Sequence, residues 1–361
     1  MRFLSIKKIA KEAGVSTATV SRVLNNPGYK CSSEELRERI WKIARELNYM
    51  PNEAARNLKK GITDTSQKVW YLDVLMTRTG NLETDPFFSE LLRVIESEIH
   101  RQGCILMHIF HQPLFSNDRK CRTENIDKVI AQMEPDGEIR SDGLIIIGKC
   151  NDNVLKKLSA KYRSIVSVNR NSTNYLVDEV ICDGKRIAAM AVEYLIGLGH
   201  RKIGYVGDCH NESRYKGYLD TLFQYGIDMD ISFVIEAEHT EAEGYAVMER
   251  LIQRGDAPTA IYCANDMIAI GMLKCLNKYK NRYYVPSIIS SDDIEEAQYT
   301  RPMLTTVRLP KEEMGKFALY LLIDRLSGGH KGIVRTELEG KLMIRESCTL
   351  VENANRMEYY I

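Results

Sequence analysis

At 361 residues, 44% hydrophobic and 27% charged, the chain has the composition of an ordinary globular protein and the length for two or three domains, which excludes disordered and collagenous classes. No apolar run approaches the roughly 18 residues of a membrane span, and nine cysteines scattered singly, with no Cys-x-x-Cys pair, speak against a disulfide framework and a zinc site. The net charge of +1 hides an asymmetry, +7 over residues 1–60 against −6 over the remainder, and a basic head suggests a polyanionic partner.

The first residues, Met1 to Lys8, carry no apolar signal core, so a cytoplasmic location is expected. Ile6, Ile9, Ala10 and Ala13 then fall at i, i+3, i+4 and i+7, one stripe of a helix that Gly14 ends. Ser16 is a good N-cap for a second helix, in which Val20, Val23 and Leu24 face inward and Thr17, Ala18, Ser21 and Arg22 face out. Two helices joined by a short Gly-containing turn, the second with small polar residues outside, form the pattern whose second helix can enter the DNA major groove. A loop over 26–30 leads to a third helix, which Ser32 and Glu35 are expected to open as a capping box, with Leu36, Ile40, Ile43, Ala44 and Leu47 as its stripe. Pro51 enforces a break, and the short stretch 53–61 is too brief for an independently stable helix.

The strings Ala13-Gly14-Val15-Ser16, Thr19-Val20-Ser21-Arg22-Val23-Leu24-Asn25, Leu47-Asn48-Tyr49-x-Pro51-Asn52 and Ala54-Ala55-Arg56-x-Leu58 resemble the DNA-binding head of the lactose/galactose repressor (LacI/GalR) family. The resemblance implies a DNA-binding domain over 1–61 with a hinge helix at about 53–59. It implies that Thr17, Ala18 and Arg22 read base edges, that Ser16, Thr19, Ser21 and Asn25 anchor phosphates, and that Ala55, Leu58 and Lys59 belong to the DNA face of the hinge. Arginine can grip guanine O6 and N7 bidentately, whereas a short hydroxyl reaches a phosphate without reading sequence. Leu58, apolar between Arg56 and Lys59-Lys60, suits a wedge between minor-groove base steps, the alternative being packing on the next domain.

From about residue 69, short apolar runs alternate with amphipathic stretches. Strands are predicted at 69–76, 105–110, 144–147, 165–168, 180–182, 202–206, 233–236, 260–263 and 285–289, and helices at 87–102, 187–198, 215–225, 243–254 and 267–278. Repeated β-α units predict an α/β core of parallel sheets with flanking helices, in two lobes, with a ligand crevice at strand carboxyl ends.

Asp85-Pro86-Phe87-Phe88, Asn169-Arg170, Gly199-His200-Arg201-Lys202, Ala264-Asn265-Asp266 and Leu304-Thr305-Thr306-Val307 resemble the same family, whose core is similar to periplasmic sugar-binding proteins. The expected core spans 69–350, with lobe 1 at about 69–178 and 308–330 and lobe 2 at about 179–305 and 335–350. Three crossovers are expected, near 178–183, 305–308 and 328–335. The resemblance implies a ligand set of Pro86, Phe87, Asn169, Arg170, Arg214, Asn265 and Asp292. Carboxylate, amide and guanidinium together suit a polyol. The competing readings are a surface salt bridge for Arg214 and a helix cap for Asn265, with Asp266 expected to cap the helix that follows. Ser290-Ser291 stands where many relatives carry an aromatic platform, and the segments 77–85 and 111–140 are long enough to alter the pocket mouth.

The expected protein is therefore a sugar-responsive repressor that acts as a homodimer on operator DNA, with no cofactor besides its small effector. An enzyme is disfavoured, since the chain has no Gly-x-Ser-x-Gly, His-Glu-x-x-His or phosphate-loop motif. A sugar-binding solute receptor is the other alternative, against which the basic head and the absence of a signal core both argue.

Overall fold

A computed structural model of the chain describes residues 6–25, 33–46, 69–78, 85–133, 140–210, 212–279 and 284–353, in two compact units that divide between Lys68 and Val69. In the first unit, α1 (Ile6–Ala13), α2 (Thr17–Asn25) and α3 (Glu34–Glu46) bury Ile9, Ala10, Ala13, Val20, Val23 and Ile40 against one another. The turn between α1 and α2 follows from three residues. Gly14 takes a positive φ of 67°, which lets its N–H reach Lys11 O at 3.4 Å and the Val15 N–H reach Ala10 O at 3.0 Å, the double closure that glycine favours after a helix. Ser16 then accepts the Thr19 N–H at 3.1 Å and opens α2. The cap of α3 differs from expectation: Ser33 accepts the Leu36 N–H at 3.1 Å, so the start falls one residue later than a cap at Ser32 would set it, and Ser32 itself lies outside the described residues. The hinge segment, with Ala55, Leu58 and Lys59, also lies outside them.

The second unit contains two sheets. The first orders its strands β11-β5-β4-β3-β1-β2, from β1 (Tyr71–Met76), β2 (Ile105–His111), β3 (Gly143–Ile147), β4 (Ser164–Asn169), β5 (Asp178–Ile181) and β11 (Arg335–Glu337), and all its pairs are parallel. The second orders β12-β10-β9-β8-β6-β7, from β6 (Ile203–Gly207), β7 (Val234–Glu236), β8 (Ala260–Cys263), β9 (Ser287–Asp292), β10 (Thr305–Arg308) and β12 (Lys341–Met343), the last pairing antiparallel with β10. Each sheet thus contains the 2-1-3-4-5 order of a doubly wound fold, whose ligand crevice opens at the carboxyl ends beside the order reversal.

Helices α4 (Pro86–Arg101), α5 (Lys120–Thr123), α6 (Ile126–Ala131), α7 (Asp152–Lys161), α8 (Gly184–Gly197), α9 (Ser213–Gln224), α10 (Glu241–Ile252), α11 (Asp266–Tyr279) and α12 (Lys311–Ser327) connect the strands. The second and third chain passages between lobes, at 309–310 and 338–340, join β10 to α12, which packs on β3, β4 and β5, and β11 to β12. Three expected boundaries therefore need correction, the first being that near 305–308, because Thr305–Arg308 pairs with β9 in the second sheet and the passage follows it. Residues 178–181 belong to the first sheet, because β5 pairs with β4. Residues 335–337 also belong there, because β11 pairs with β5, which moves the third crossover beyond 328–335. Within segment 111–140, a 3-10 turn at Pro113–Ser116 with α5 and α6 buries Phe115, Ile126 and Ile130 beneath the first sheet.

Helices α10 and α11 approach closely enough that side chains are excluded from the contact. A Cβ on Gly271 would lie 2.0 Å from Glu241 O, and one on Gly244 would lie 2.0 Å from Ile268 O. Gly271→Ala is therefore expected to destabilise the core by about 3 kcal/mol, read as a lower urea midpoint. An unchanged midpoint would show that the helices separate without cost.

Candidate functional site

On the head, Ser16, Thr17 and Arg22 are exposed along α2, while Thr19 is half-buried with its hydroxyl 2.9 Å from that of Ser16. The side chains of Ala18, Ser21 and Asn25 lie outside the described ones. Ser16 and Thr19 thus hold each other at the start of α2.

In the core, Asn169, Arg170, Asn265 and Asp292 lie at or just beyond the carboxyl ends of strands from both sheets, and Pro86, Phe87 and Arg214 in the first turns of α4 and α9. Arg170, just beyond β4, reaches across to Asp292 at the end of β9 and donates from Nη2 to Oδ1 in a buried ion pair. Its guanidinium lies 4.2 Å from the centroid of the Phe87 ring, which the first turn of α4 presents. Pro86 opens that helix, and Asp85 caps it by accepting the Phe87 N–H at 3.0 Å. Pro86, Phe87, Arg170 and Asp292 are thus brought together.

Burial, opposed by the charges of Arg170 and Arg214, pushes the Asp292 carboxyl upward, and burial lowers Arg170 despite Asp292. In both groups burial is the largest cause, and each partner's charge opposes it. Burial and the nearby charge of Asp292 also push Asp85 up to about 6. The backbone adds strain: Asp292 and Asp293 take φ values of 128° and 51°, which side-chain-bearing residues rarely adopt and which each cost about 1–3 kcal/mol. Asp293 is held there by Arg308 and Arg345, each at 2.5 Å.

Arg214, in the first turn of α9, is fully buried. Its Nε donates to Glu212 at 2.9 Å and its Nη1 to the Ala264 carbonyl, which replaces the surface salt bridge considered from the sequence with an interior one. Burial opposes the Glu212 charge, but the Arg214 guanidinium more than offsets it and holds the carboxyl well below the usual range. Arg78, beyond β1, donates to His239 Nδ1 at 2.9 Å and lies 3.8 Å from Glu212. Burial and the charges of Arg78 and Arg214 drive His239 well below its usual range, so its ring is neutral and, with Nδ1 accepting, the proton sits on Nε2. Three of the buried donors that lack a partner among the described residues belong to these side chains: Arg170 Nε, Arg214 Nη2 and His239 Nε2. Unpaired buried donors are costly, and together they form a set suited to hydroxyl or anionic oxygens.

The other two expected residues behave differently. Asn265 Oδ1 accepts the Ile268 N–H at 3.1 Å, so this residue does cap α11, while its Nδ2 donates to His239 O at 3.4 Å. Asp266 is not the cap: it accepts the Ser290 and Thr306 hydroxyls, both at 2.6 Å, and the Ile294 N–H at 2.8 Å, tying α11 to β9 and β10. Asn169 closes its own turn, accepting the Arg170 N–H at 2.7 Å and donating to Asn171 O at 3.1 Å. It lines, with Arg170, a polar cavity of about 740 Å³ that the rest of the expected set does not reach. Asp118 and Arg122 from segment 111–140 also line it.

Glu212, His239, Arg78 and Asp85 were absent from the expected set. Glu212 was the most accessible from sequence, two residues before Arg214 at a helix start. Among the described residues no group of His, Cys, Asp and Glu could hold a metal ion, and no helix is long and apolar enough to cross a membrane.

Residues 5–52 match the family model of bacterial regulatory proteins, lacI family, and residues 192–348 match the periplasmic binding protein-like domain. The chain is 30% identical over 359 residues to the HTH-type transcriptional repressor PurR of Mannheimia succiniciproducens, covering 95% of this chain and 98% of that one. It is also 30% identical over 357 residues to the HTH-type transcriptional repressor MelR of Bacillus subtilis, covering 95% and 97%. Among solved structures, the transcriptional regulator CelR–cellobiose complex superposes with a TM-score of 0.65 at 23% identity, covering 96% of this chain and all of that one.

Proposed function

Since the chain belongs to the lacI family of bacterial regulatory proteins, DNA-binding transcriptional repressors rather than enzymes, we propose that it represses carbohydrate-utilisation genes in the cytoplasm under the control of a small sugar-like effector. The observation that carries this reading is the ion pair of Arg170 and Asp292, which joins the carboxyl end of a strand in one lobe to that of a strand in the other. A ligand that takes over these groups, with the unpartnered donors of Arg214 and His239 beside them, exchanges an interlobe contact for its own and so biases the angle between lobes. Two heads in a homodimer would meet two half-sites of a near-palindromic operator, and a hinge helix would transmit the lobe angle to the minor groove.

The test is fluorescence anisotropy of the full chain on palindromic DNA from its own genomic neighbourhood, against scrambled DNA, over a salt series, with and without a panel of sugars and sugar derivatives. Tight, specific, salt-dependent binding shifted by one compound is expected. Equal affinity for both DNAs with no compound effect would sink the reading. In the same assay Leu58→Ala is expected to weaken operator binding about tenfold while leaving effector binding intact, because an apolar wedge between base steps is lost. Equal operator affinity in both proteins would remove the wedge.

A further inference from the structure

In the first lobe, three elements carry the chain passages between lobes. Strand β5 runs into α8, which packs on the second sheet; α12 begins just after the passage at 309–310; and β11 ends just before the one at 338–340. At the ends of these elements farthest from the passages, one cluster of side chains ties all three. Asp178, buried at the start of β5, accepts from Nε and Nη2 of Arg325 in the last turn of α12, the latter at 2.6 Å, and from the Val334 N–H just before β11 at 2.8 Å. His330, in the loop between α12 and β11, completes the cluster, with Nε2 2.9 Å from Asp178 Oδ2 and Nδ1 2.6 Å from Asp324 Oδ2.

Geometry fixes the charge of that ring. A neutral imidazole carries one N–H and a carboxylate only accepts, so a ring with a carboxylate oxygen at each nitrogen needs both protons and is a cation. The charged groups that face it are Asp324 and Arg325 from α12 and Asp178 from β5. The hydrogen bonds to Asp324 and Asp178 outweigh burial and the guanidinium, and hold the imidazolium to a pH above the usual histidine value of 6.5. The side chain is 16% exposed, within reach of solvent protons.

Little else fixes this loop, Gly328-Gly329-His330-Lys331-Gly332. Among the described residues its other side-chain bonds come from Arg325, to Lys331 O at 3.1 Å and Gly332 O at 2.6 Å. A Cβ on Gly329 would lie 2.2 Å from Asp324 Oδ1, so the loop folds onto that carboxylate only with glycine there. Loss of one ring proton sets a nitrogen lone pair against a carboxylate oxygen, which repels it. Arg325 and the Val334 N–H still serve Asp178, whereas among the described residues His330 is the one partner of the Asp324 carboxylate, so the Asp324 contact breaks first.

We propose that His330 is a proton-operated regulatory site: its cationic ring locks β5, α12 and β11 together at the root of the passages between lobes, and its neutral ring releases the loop and weakens operator binding. A released anchor must be ordered again when the lobes are held at the angle the operator selects, and that ordering opposes binding. The site lies at the amino ends of strands whose carboxyl ends face Asn169 and Arg170, so it acts whatever the effector is. The native chain holds the His330 proton more tightly than the unfolded one. The lock is therefore complete below about pH 6.5 and lost as the pH rises through the higher native value.

The experiment follows the histidine Cε1–H resonances of the isotope-labelled full chain by NMR from about pH 5.5 to about pH 9. His330→Gln assigns the His330 signal among the seven histidines, and Asp324→Asn removes one acceptor. Amide hydrogen exchange of 325–337, corrected for its intrinsic pH dependence, and operator anisotropy at fixed ionic strength are read at about pH 6.5 and about pH 8.5. The His330 signal is expected to titrate above 6.5 and to move to lower pH in Asp324→Asn. In the parent, loop exchange should rise at least about tenfold between the two conditions, and operator affinity should fall at least about threefold further than in His330→Gln. Asp266, raised to about 7 in the second lobe, titrates alike in both proteins and cancels in that comparison. A His330 signal that titrates at or below 6.5, or that Asp324→Asn leaves in place, overturns the lock. Equal pH dependence of operator affinity in the parent and His330→Gln overturns its regulatory role.

Discussion

A chain carrying Asp266→Ala is expected to lose about 3–5 kcal/mol of core stability, whereas Asp266→Asn keeps most of that stability and changes its pH dependence. Asp266 is fully buried and gathers three donors, the hydroxyls of Ser290 and Thr306 and the Ile294 N–H, so alanine leaves all three without their acceptor and opens a void between α11 and β9. Burial and the charge of Asp292 push its carboxyl up to about 7, from 3.8 for the free side chain. A carboxyl raised on folding binds its proton more tightly in the native chain than in the unfolded one. Its contribution to stability is therefore complete below about pH 4 and is lost as the pH rises toward 7, at up to about 1.4 kcal/mol per pH unit. Asparagine cannot ionise and retains an oxygen acceptor, so the stability of Asp266→Asn relative to the parent should rise between pH 4 and 7, while the slope that remains in the variant is set by the raised Asp85 and Asp292 and, in the opposite sense, by the depressed His239. A midpoint for Asp266→Ala within about 1 kcal/mol of the parent would show that the donors find other partners. An unaltered slope in Asp266→Asn would place the titration elsewhere.

What the sequence carries legibly is whatever a single element decides for itself. Leu144 to Ile147 is a continuous apolar run because both faces of a parallel strand are covered, and the α1 stripe reports one buried helix face, so both were readable without a partner. Strands β11 and β12 were not: Arg335-Thr336-Glu337 and Lys341-Leu342-Met343 are short edge segments whose pairing is fixed by β5 and β10, far away in the chain. Helix α12 escaped for another reason. It buries Met314, Ala318, Leu319, Leu322 and Leu326 yet exposes Phe317 and Tyr320, so its apolar residues do not confine themselves to one stripe.

The same division holds within the site. Residues singled out by type and by their place after a strand, such as Arg170 and Asp292, do meet. Which of two neighbouring residues caps and which joins a network is decided by three-dimensional approach, and for Asn265 and Asp266 the assignment inferred from order was reversed. Glu212 and His239 acquire their roles only because Arg214 and Arg78 arrive from other elements, which no local spacing encodes.

Arg214→Ala is expected to abolish the effector response, with the compound concentration needed to shift operator affinity rising at least about a hundredfold, and to cost about 3–5 kcal/mol of stability. The two effects have separable causes. Arg214 supplies Nη2, a buried donor unpartnered among the described residues, and its loss removes a charged contact that a ligand hydroxyl or anion would use. Its Nε is the strongest neutralising partner of Glu212, which is 2% exposed, so alanine strands a carboxylate in the interior. The double variant Glu212→Gln/Arg214→Met distinguishes them. Glutamine carries no charge and still offers an oxygen to the residue-214 N–H that Glu212 now accepts at 3.3 Å, and methionine fills most of the arginine stem, so stability should return to within about 2 kcal/mol of the parent. Effector binding should not return, because neither replacement donates where the guanidinium did. Calorimetry and operator anisotropy on all three proteins read both quantities. A double variant that responds to the effector like the parent would move the pocket away from Arg214, even if its stability behaved as expected.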